Sequence, residues 1–424
     1  MSFPRLRSSA VCLLLVLAAG PASGQASEPS PDSLLARHSL QTWGLKEGLP
    51  QATVRAIGQT RDGYLWLGTQ TELVRFDGVR FTVADRRGGP LSLLGDQEGG
   101  LWYAPFGRGV TLRAYGRAAH WTARDGLPGE VVHQILEDRD GAIWMATSRG
   151  LARWSRGRFE TIGGMEGRPV AALALGADGT LWIGTADAGV FRFAGGILSR
   201  VEGDDLPDDQ IAALLVDRTG ALWAGTSGGL AHLRDGRWET LTTRDGLPGD
   251  NVTKLLEDVD GNLWVGTRGG LAVFRPEGAR PGRITTLTER DGLRSAAITA
   301  LYQDAERSLW VGTEAGGLLR LRARTFETLE APGAHGAVWS AFEDRDGTFW
   351  IGTNEHGLLH LANGQITSFG PAEGLPEGRV RPIVRDRQGD LWVGTSNGLA
   401  RLRGGRFEVW TRRDGLPNNY VVTL

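Results

Sequence analysis

The stretch DGLPGDNVTKLLEDVDGNLWVGTRGGLAVF, residues 245–274, recurs in close copies along almost the whole chain. Within it, Asn251 to Glu257 reads as an apolar strand, Asp258-Val259-Asp260-Gly261 as a hairpin turn, and Asn262 to Thr267 as a second strand. Arg268-Gly269-Gly270 then turns the chain into Leu271 to Phe274, and a weaker fourth strand follows at Arg283 to Thr288. Short alternating segments without a helical period indicate β structure. Asp-Gly supplies the positive φ of a tight hairpin, and it recurs at Asp62-Gly63, Asp140-Gly141, Asp178-Gly179 and Asp346-Gly347.

A tryptophan framed as apolar-Trp-x-Gly-Thr marks Trp66, Trp182, Trp223, Trp264, Trp310, Trp350 and Trp392, with degenerate copies at Trp102 and Trp144. The spacings run from 36 to 46 residues, the length of one four-stranded propeller blade. Trp264 and Gly266 point to one face of their strand while Leu263, Val265 and Thr267 point to the other, so a large indole beside a missing side chain suits one blade nesting on the next. Gly-Leu-Pro, with its glycine at Gly48, Gly126, Gly246, Gly374 and Gly415, reads as the connection from the outer strand of one blade to the inner strand of the next.

The fold class is therefore all-β, a β-propeller built of four-stranded blades with about nine repeats. Single propellers hold four to eight blades. His38 to Trp43 resembles an outer strand without a blade of its own, suited to complete the seventh blade, whose inner three strands end near Leu321. The reading is one seven-bladed ring, residues 38–324, plus an incomplete second propeller, residues 325–424. The alternative is a single irregular ring of nine or ten blades.

Residues 1–24 read as a signal peptide: Arg5 and Arg7 precede an apolar run from Ala10 to Ala19, then small residues suited to cleavage. Residues 25–37, rich in Ser, Pro and Ala, read as a flexible leader. Cys12, the single cysteine, lies inside the signal, so disulfide and thiol chemistry are not expected. With 47 basic and 49 acidic residues, charge argues against nucleic acid as partner. No later segment reaches the length of a membrane span, and a periplasmic or secreted location is expected.

Gly-Leu-Pro, an apolar strand, Glu-Asp-x-Asp-Gly, then Leu-Trp-x-Gly-Thr-x-x-Gly-Leu together resemble the two-component regulator propeller repeat, over residues 38–424. That resemblance implies paired seven-bladed propellers on the extracytoplasmic side of a bacterial sensor, usually followed by a β-sandwich, a membrane helix and a histidine kinase or diguanylate cyclase. The chain as given stops one strand into a tenth unit, so a transmitter domain, and with it enzymatic activity, is not expected of it. The Trp-Asp dipeptide of WD40 blades is absent, and quinone-dependent dehydrogenase blades place their tryptophan further beyond the turn glycine. Streptogramin-lyase-like propellers share a Gly-x-Leu/Ile-Trp strand and are the nearest enzymatic competitor.

The Asp-x-Asp-Gly turns at Asp138, Asp258 and Asp344 raise calcium, but the turn itself explains them, and no metal or other cofactor is expected. His356 and His360 run from a hairpin into a strand, where four residues span about 13 Å, too far to share one ion. No nucleophile elbow or phosphate-binding loop is visible, so no catalytic residue is nominated. Loops after Gly-Thr and after Gly-Leu-Pro fall on one face of a blade and surround one opening. Their variable residues are the ligand candidates: Arg149, Arg268, Glu314, Asn354, Glu355, His356 and Asn397 from the first set, Trp339 and Arg379 from the second. Polar groups with an aromatic suit a small molecule or oligosaccharide. A downstream signalling protein and a second copy of the chain are the other partners expected, with a protein-binding scaffold as a further alternative.

Overall fold

The computed structural model describes residues 34–202, 205–277, 280–323, 337–362 and 365–424. The signal peptide and the start of the leader lie outside these residues, as does the junction at 324–336. Contacts group the described residues into two compact units, one over residues 34–323 and the other over 337–424.

In the first unit, six four-stranded antiparallel sheets follow in chain order: blade 1 (54–85), blade 2 (90–121), blade 3 (132–161), blade 4 (170–200), blade 5 (213–241) and blade 6 (252–287). Blade 7 takes three strands from residues 298–323 and its outer strand from His38–Trp43, which pairs antiparallel with Leu318–Ala323 from His38 opposite Ala323 to Trp43 opposite Leu318. The inner strand of each blade packs on that of the next, and Ile298–Gln303 of blade 7 packs back on Val54–Gln59 of blade 1, closing the ring at seven. Trp43 seals the junction, its ring 5.4 Å from Trp310 and 5.5 Å from Phe76. The second unit holds blade 8 (338–369) and blade 9 (380–410).

Every residue of the repeat has a packing task. The indole N–H of Trp264 donates to Asp258 Oδ2 at 2.8 Å, while Asp258 Oδ1 accepts from the backbone N–H groups of Asp260 and Asn262, each at 2.9 Å. The same six-residue bond ties Trp102 to Asp96, Trp144 to Asp138, Trp223 to Asp217, Trp310 to Asp304, Trp350 to Asp344 and Trp392 to Asp386. In blade 1 the Thr60 hydroxyl substitutes for the carboxylate, and in blade 4 Gly176 stands there and Trp182 is only half-buried. These aspartates are turn formers and indole acceptors.

The motif glycine is sterically required. A Cβ on Gly266 would lie 2.7 Å from Ile298 Cγ2 of the next blade, and one on Gly312 would lie 2.6 Å from the Val54 carbonyl across the closure. The motif threonine is buried and its hydroxyl donates to the glycine carbonyl across the following turn, as in Thr267 to Gly270 at 2.9 Å. Thr242-Thr243-Arg244-Asp245-Gly246 forms a capped 3-10 turn: Asp245 Oδ2 accepts from the Thr242 N–H and hydroxyl, and Gly246 sits at φ 105°, a left-handed position natural to glycine. Leu247 then inserts into the core.

Two local expectations are corrected. The leader is not irregular to residue 37: Leu34–Arg37 is a helical turn, ordered because Leu34 is buried among Trp264, Leu287 and Leu293. The fourth strand of blade 6 is shortened to Thr285–Leu287, because a small hairpin, Pro276–Glu277 with Arg280–Pro281, is inserted before it.

Candidate functional site

A β-bulge near the start of most inner strands sets the site. Pairing skips one residue between Val54 and Ala56, Val132 and Gln134, Val170 and Ala172, Val252 and Lys254, and Ile298 and Ala300. A bulge leaves its extra residue out of the ladder and re-aims it. Arg55 and His133 are such residues; with Lys254 they line a central channel of about 200 Å3 inside the ring. Its remaining wall is Gln134, Ser92 and aliphatic side chains from all seven inner strands, and among the described residues no carboxylate lines it.

Burial pushes the Lys254 ammonium below the usual lysine range. His133 is lowered too, first by burial and then by the charge of Lys254, which lines the same channel.

Arg55 also borders a shallower hollow of about 170 Å3 at the mouth, where Gln70, Arg268 and Glu314 converge from blades 1, 6 and 7. The threonines there knit blades together: Thr53 donates to the Glu314 carbonyl at 2.6 Å, Thr253 to the Ile298 carbonyl at 2.7 Å, and Thr299 to the Val54 carbonyl. The side chains of Arg55 and Arg268 form no ion pair among the described residues, so they stand available to a ligand.

Of the nominated residues, Arg268 and Glu314 meet at this mouth. Arg149 is exposed on the corresponding turn of blade 3, where its carbonyl accepts from the Gly167 N–H at 2.9 Å, and it lines neither cavity. The other six belong to residues 325–424. Trp339 is not in a loop: it is the bulged second residue of the strand Val338–Glu343, 45% exposed, with the guanidinium groups of Arg381 at 4.3 Å and Arg379 at 5.8 Å from its ring. Glu355 and His356 line a separate cavity of about 490 Å3 with Glu373 and Glu377. Asn354 Oδ1 and His356 Nδ1 are buried with no protein partner, and Asn397 is exposed with its N–H bonded to Thr395 Oγ1 at 3.1 Å. His360 is structural, stacked on Trp350 at 3.9 Å and bonded to the Thr348 hydroxyl.

Reading by loops alone missed Arg55, His133 and Lys254. The signal for Arg55 and His133 was positional: each follows the first apolar residue of its inner strand, where a bulge turns a strand residue toward the channel, whereas Lys254 stands one place beyond the bulged Thr253 and pairs with Gly266 in the ladder.

Six segments, residues 48–71, 126–149, 246–269, 292–315, 332–355 and 374–397, match the family described as two component regulator propeller. Among solved structures, the extracellular domain described as belonging to a hybrid two component system of B. thetaiotaomicron is similar at 20% identity and TM-score 0.58, covering 90% of this chain and 55% of that one. A second extracellular domain from that organism, described as that of a one component system, is 18% identical with TM-score 0.56, covering 92% of this chain and 56% of that one. The chain thus spans little more than half the length of these relatives. Virginiamycin B lyase of Staphylococcus aureus is 14% identical with TM-score 0.56, covering 68% of this chain and all of that one. No curated protein matches the chain. Among the described residues no helix is long and apolar enough to cross a membrane.

Proposed function

Because the chain belongs to the two-component regulator propeller repeat family, we propose that it is the ligand-recognition region of an extracytoplasmic bacterial sensor, acting through the mouth of its seven-bladed ring rather than by catalysis. One observation carries this reading. The recurrent Trp, Asp, Gly and Thr are all engaged in packing, whereas the non-recurrent polar side chains Arg55, Gln70, Arg268 and Glu314 converge on one opening. A rigid ring with variable side chains at its mouth suits recognition, because its frame loses little entropy when a ligand binds.

Blades 8 and 9 are read as the opening of a second propeller, and an exported location is proposed with it, in keeping with the similarity in fold to extracellular domains. Binding would signal by biasing a pre-existing equilibrium of a partner or a dimer.

The test is a calorimetric screen of the whole chain against neutral and charged small molecules and oligosaccharides. Saturable binding weakened by Arg268→Ala supports the reading, and binding that ignores Arg268 and Arg55 refutes the mouth as the site. A lyase reading is favoured by one feature, His133 in the channel. Turnover of a cyclic peptide lactone, abolished by His133→Ala, would replace the sensor reading with it.

A further inference from the structure

We infer that the central channel of the ring is a binding site for a small polyatomic anion, such as a phosphate, a sulfate or a short dicarboxylate, held by Lys254 with Arg55 and His133. The inference rests on the reading of the ring as a ligand-recognition module and names its ligand class.

Three basic side chains from blades 1, 3 and 6 line one cavity of about 200 Å3, and among the described residues no carboxylate stands in its wall. Other half-buried cations of the molecule are compensated, either by acids, as Arg385 is by Asp344, Arg153 by Asp138 and Arg401 by Asp390 and Glu408, or by aromatic rings, as Arg75 is by Tyr64 and Arg381 by Trp339 and Tyr420. The side chains of Lys254 and Arg55 have no hydrogen bond or ion pair among the described residues.

A structural role does not account for this placement. Ala171, Ala212 and Ala300 line the same channel, which shows that small apolar residues satisfy the inner strand where no cation is needed. Lys254 is half-buried, and an ammonium partly withdrawn from water without a counter-charge is disfavoured. Burial accordingly lowers its affinity for a proton. An anion in the channel would supply the missing counter-charge. A narrow cleft lined by one sign of charge between low-dielectric walls concentrates such ions.

The path inward is also cationic. Arg55 is shared between the channel and the mouth, and Arg268 stands at the rim. Glu314 at that rim is the single acid there; it disfavours a large polyanion resting on the mouth more than a small one passing inside.

The test titrates the whole chain with inorganic phosphate, sulfate and succinate at fixed ionic strength, with glucose as the neutral comparison. At least one anion should bind saturably, and Lys254→Met and Arg55→Gln should each weaken it at least tenfold. The Lys254→Met protein should unfold no earlier than the wild type without anion, since no partner is lost. Preference between the inorganic ions and succinate separates a mineral ligand from an organic one. Absence of saturable anion binding by the folded protein, or binding unchanged in Lys254→Met, would overturn the inference. If a neutral ligand instead bound in a manner sensitive to Arg268→Ala but not to Lys254→Met, the anion site would be refuted while the sensor reading stood.

Discussion

Replacing Asp258 by alanine tests the bond that joins the turn of each blade to its tryptophan. Asp258 accepts four hydrogen bonds, from the N–H groups of Asp260 and Asn262, the Asn262 amide and the Trp264 indole, at 2.8 to 2.9 Å. The turn amides lie near the surface and would regain water, at a cost of about 1 kcal/mol. The indole cannot, because Trp264 is 2% exposed. A buried donor left alone costs about 1–3 kcal/mol. The expected loss is therefore about 2–4 kcal/mol, at the upper end of ordinary single substitutions. Urea unfolding followed by far-UV circular dichroism measures it, and a double-mutant cycle with Trp264→Phe isolates the indole bond as a coupling of about 1–3 kcal/mol. Blade 4 supplies a natural contrast: Gly176 replaces the acid, and there Trp182 is half-buried, open to water. A loss below about 0.5 kcal/mol for Asp258→Ala, as at an ordinary surface position, would refute the assignment.

Three further outcomes follow from the packing. Gly266→Ala should destabilise by about 1–3 kcal/mol through overpacking, since its Cβ would meet Ile298 Cγ2 at 2.7 Å; an unchanged urea midpoint would mean the blades are not in close contact there. Deleting residues 38–43 should leave Leu318–Ala323 as an unpaired edge and produce association visible by sedimentation, whereas a stable monomer of unchanged cooperativity would contradict closure through that strand. His232 is buried, stacked on Trp223 at 4.2 Å, with both ring nitrogens unpartnered, and burial lowers its pKa from 6.5. The unfolded chain then takes up a proton at a pH where the native state does not, so its contribution is complete above pH 6.5 and is lost as pH falls from there toward the folded value. His232→Phe should lose less stability than the wild type between pH 7.5 and about 5, and equal losses would exclude this histidine as the source.

The ring was legible because its determinants are local and repeated. Trp264 with Gly266, and Asp-Gly turns, carry their packing meaning within a few residues, and His38–Trp43 could be recognised as a strand lacking a blade. The role of Asp258 was half legible: the turn was read, the indole bond was not, because it depends on a side-chain direction that spacing alone does not give. The site was less legible. Arg268 and Glu314 were found as loop residues, but Arg55, His133 and Lys254, which lie in strands, were not nominated. A bulge overrides the alternation on which such reasoning depends. Trp339 was misplaced for the same reason: it stands at the equivalent bulge of blade 8.

The closing strand also imposes an order in time. Ser39 and Arg322 are bonded across 283 residues of sequence, and His38–Trp43 emerges from the ribosome before the other strands of the ring. At about 5–20 residues per second, its partner follows on the order of tens of seconds later. Until then the first strand has no sheet to join, and blades 1 to 6 stand as an open arc. Contacts this distant in sequence are the slow ones in folding. The last event in making the ring is thus performed by its earliest residues, and anything that holds them back during synthesis or transport holds back the whole ring.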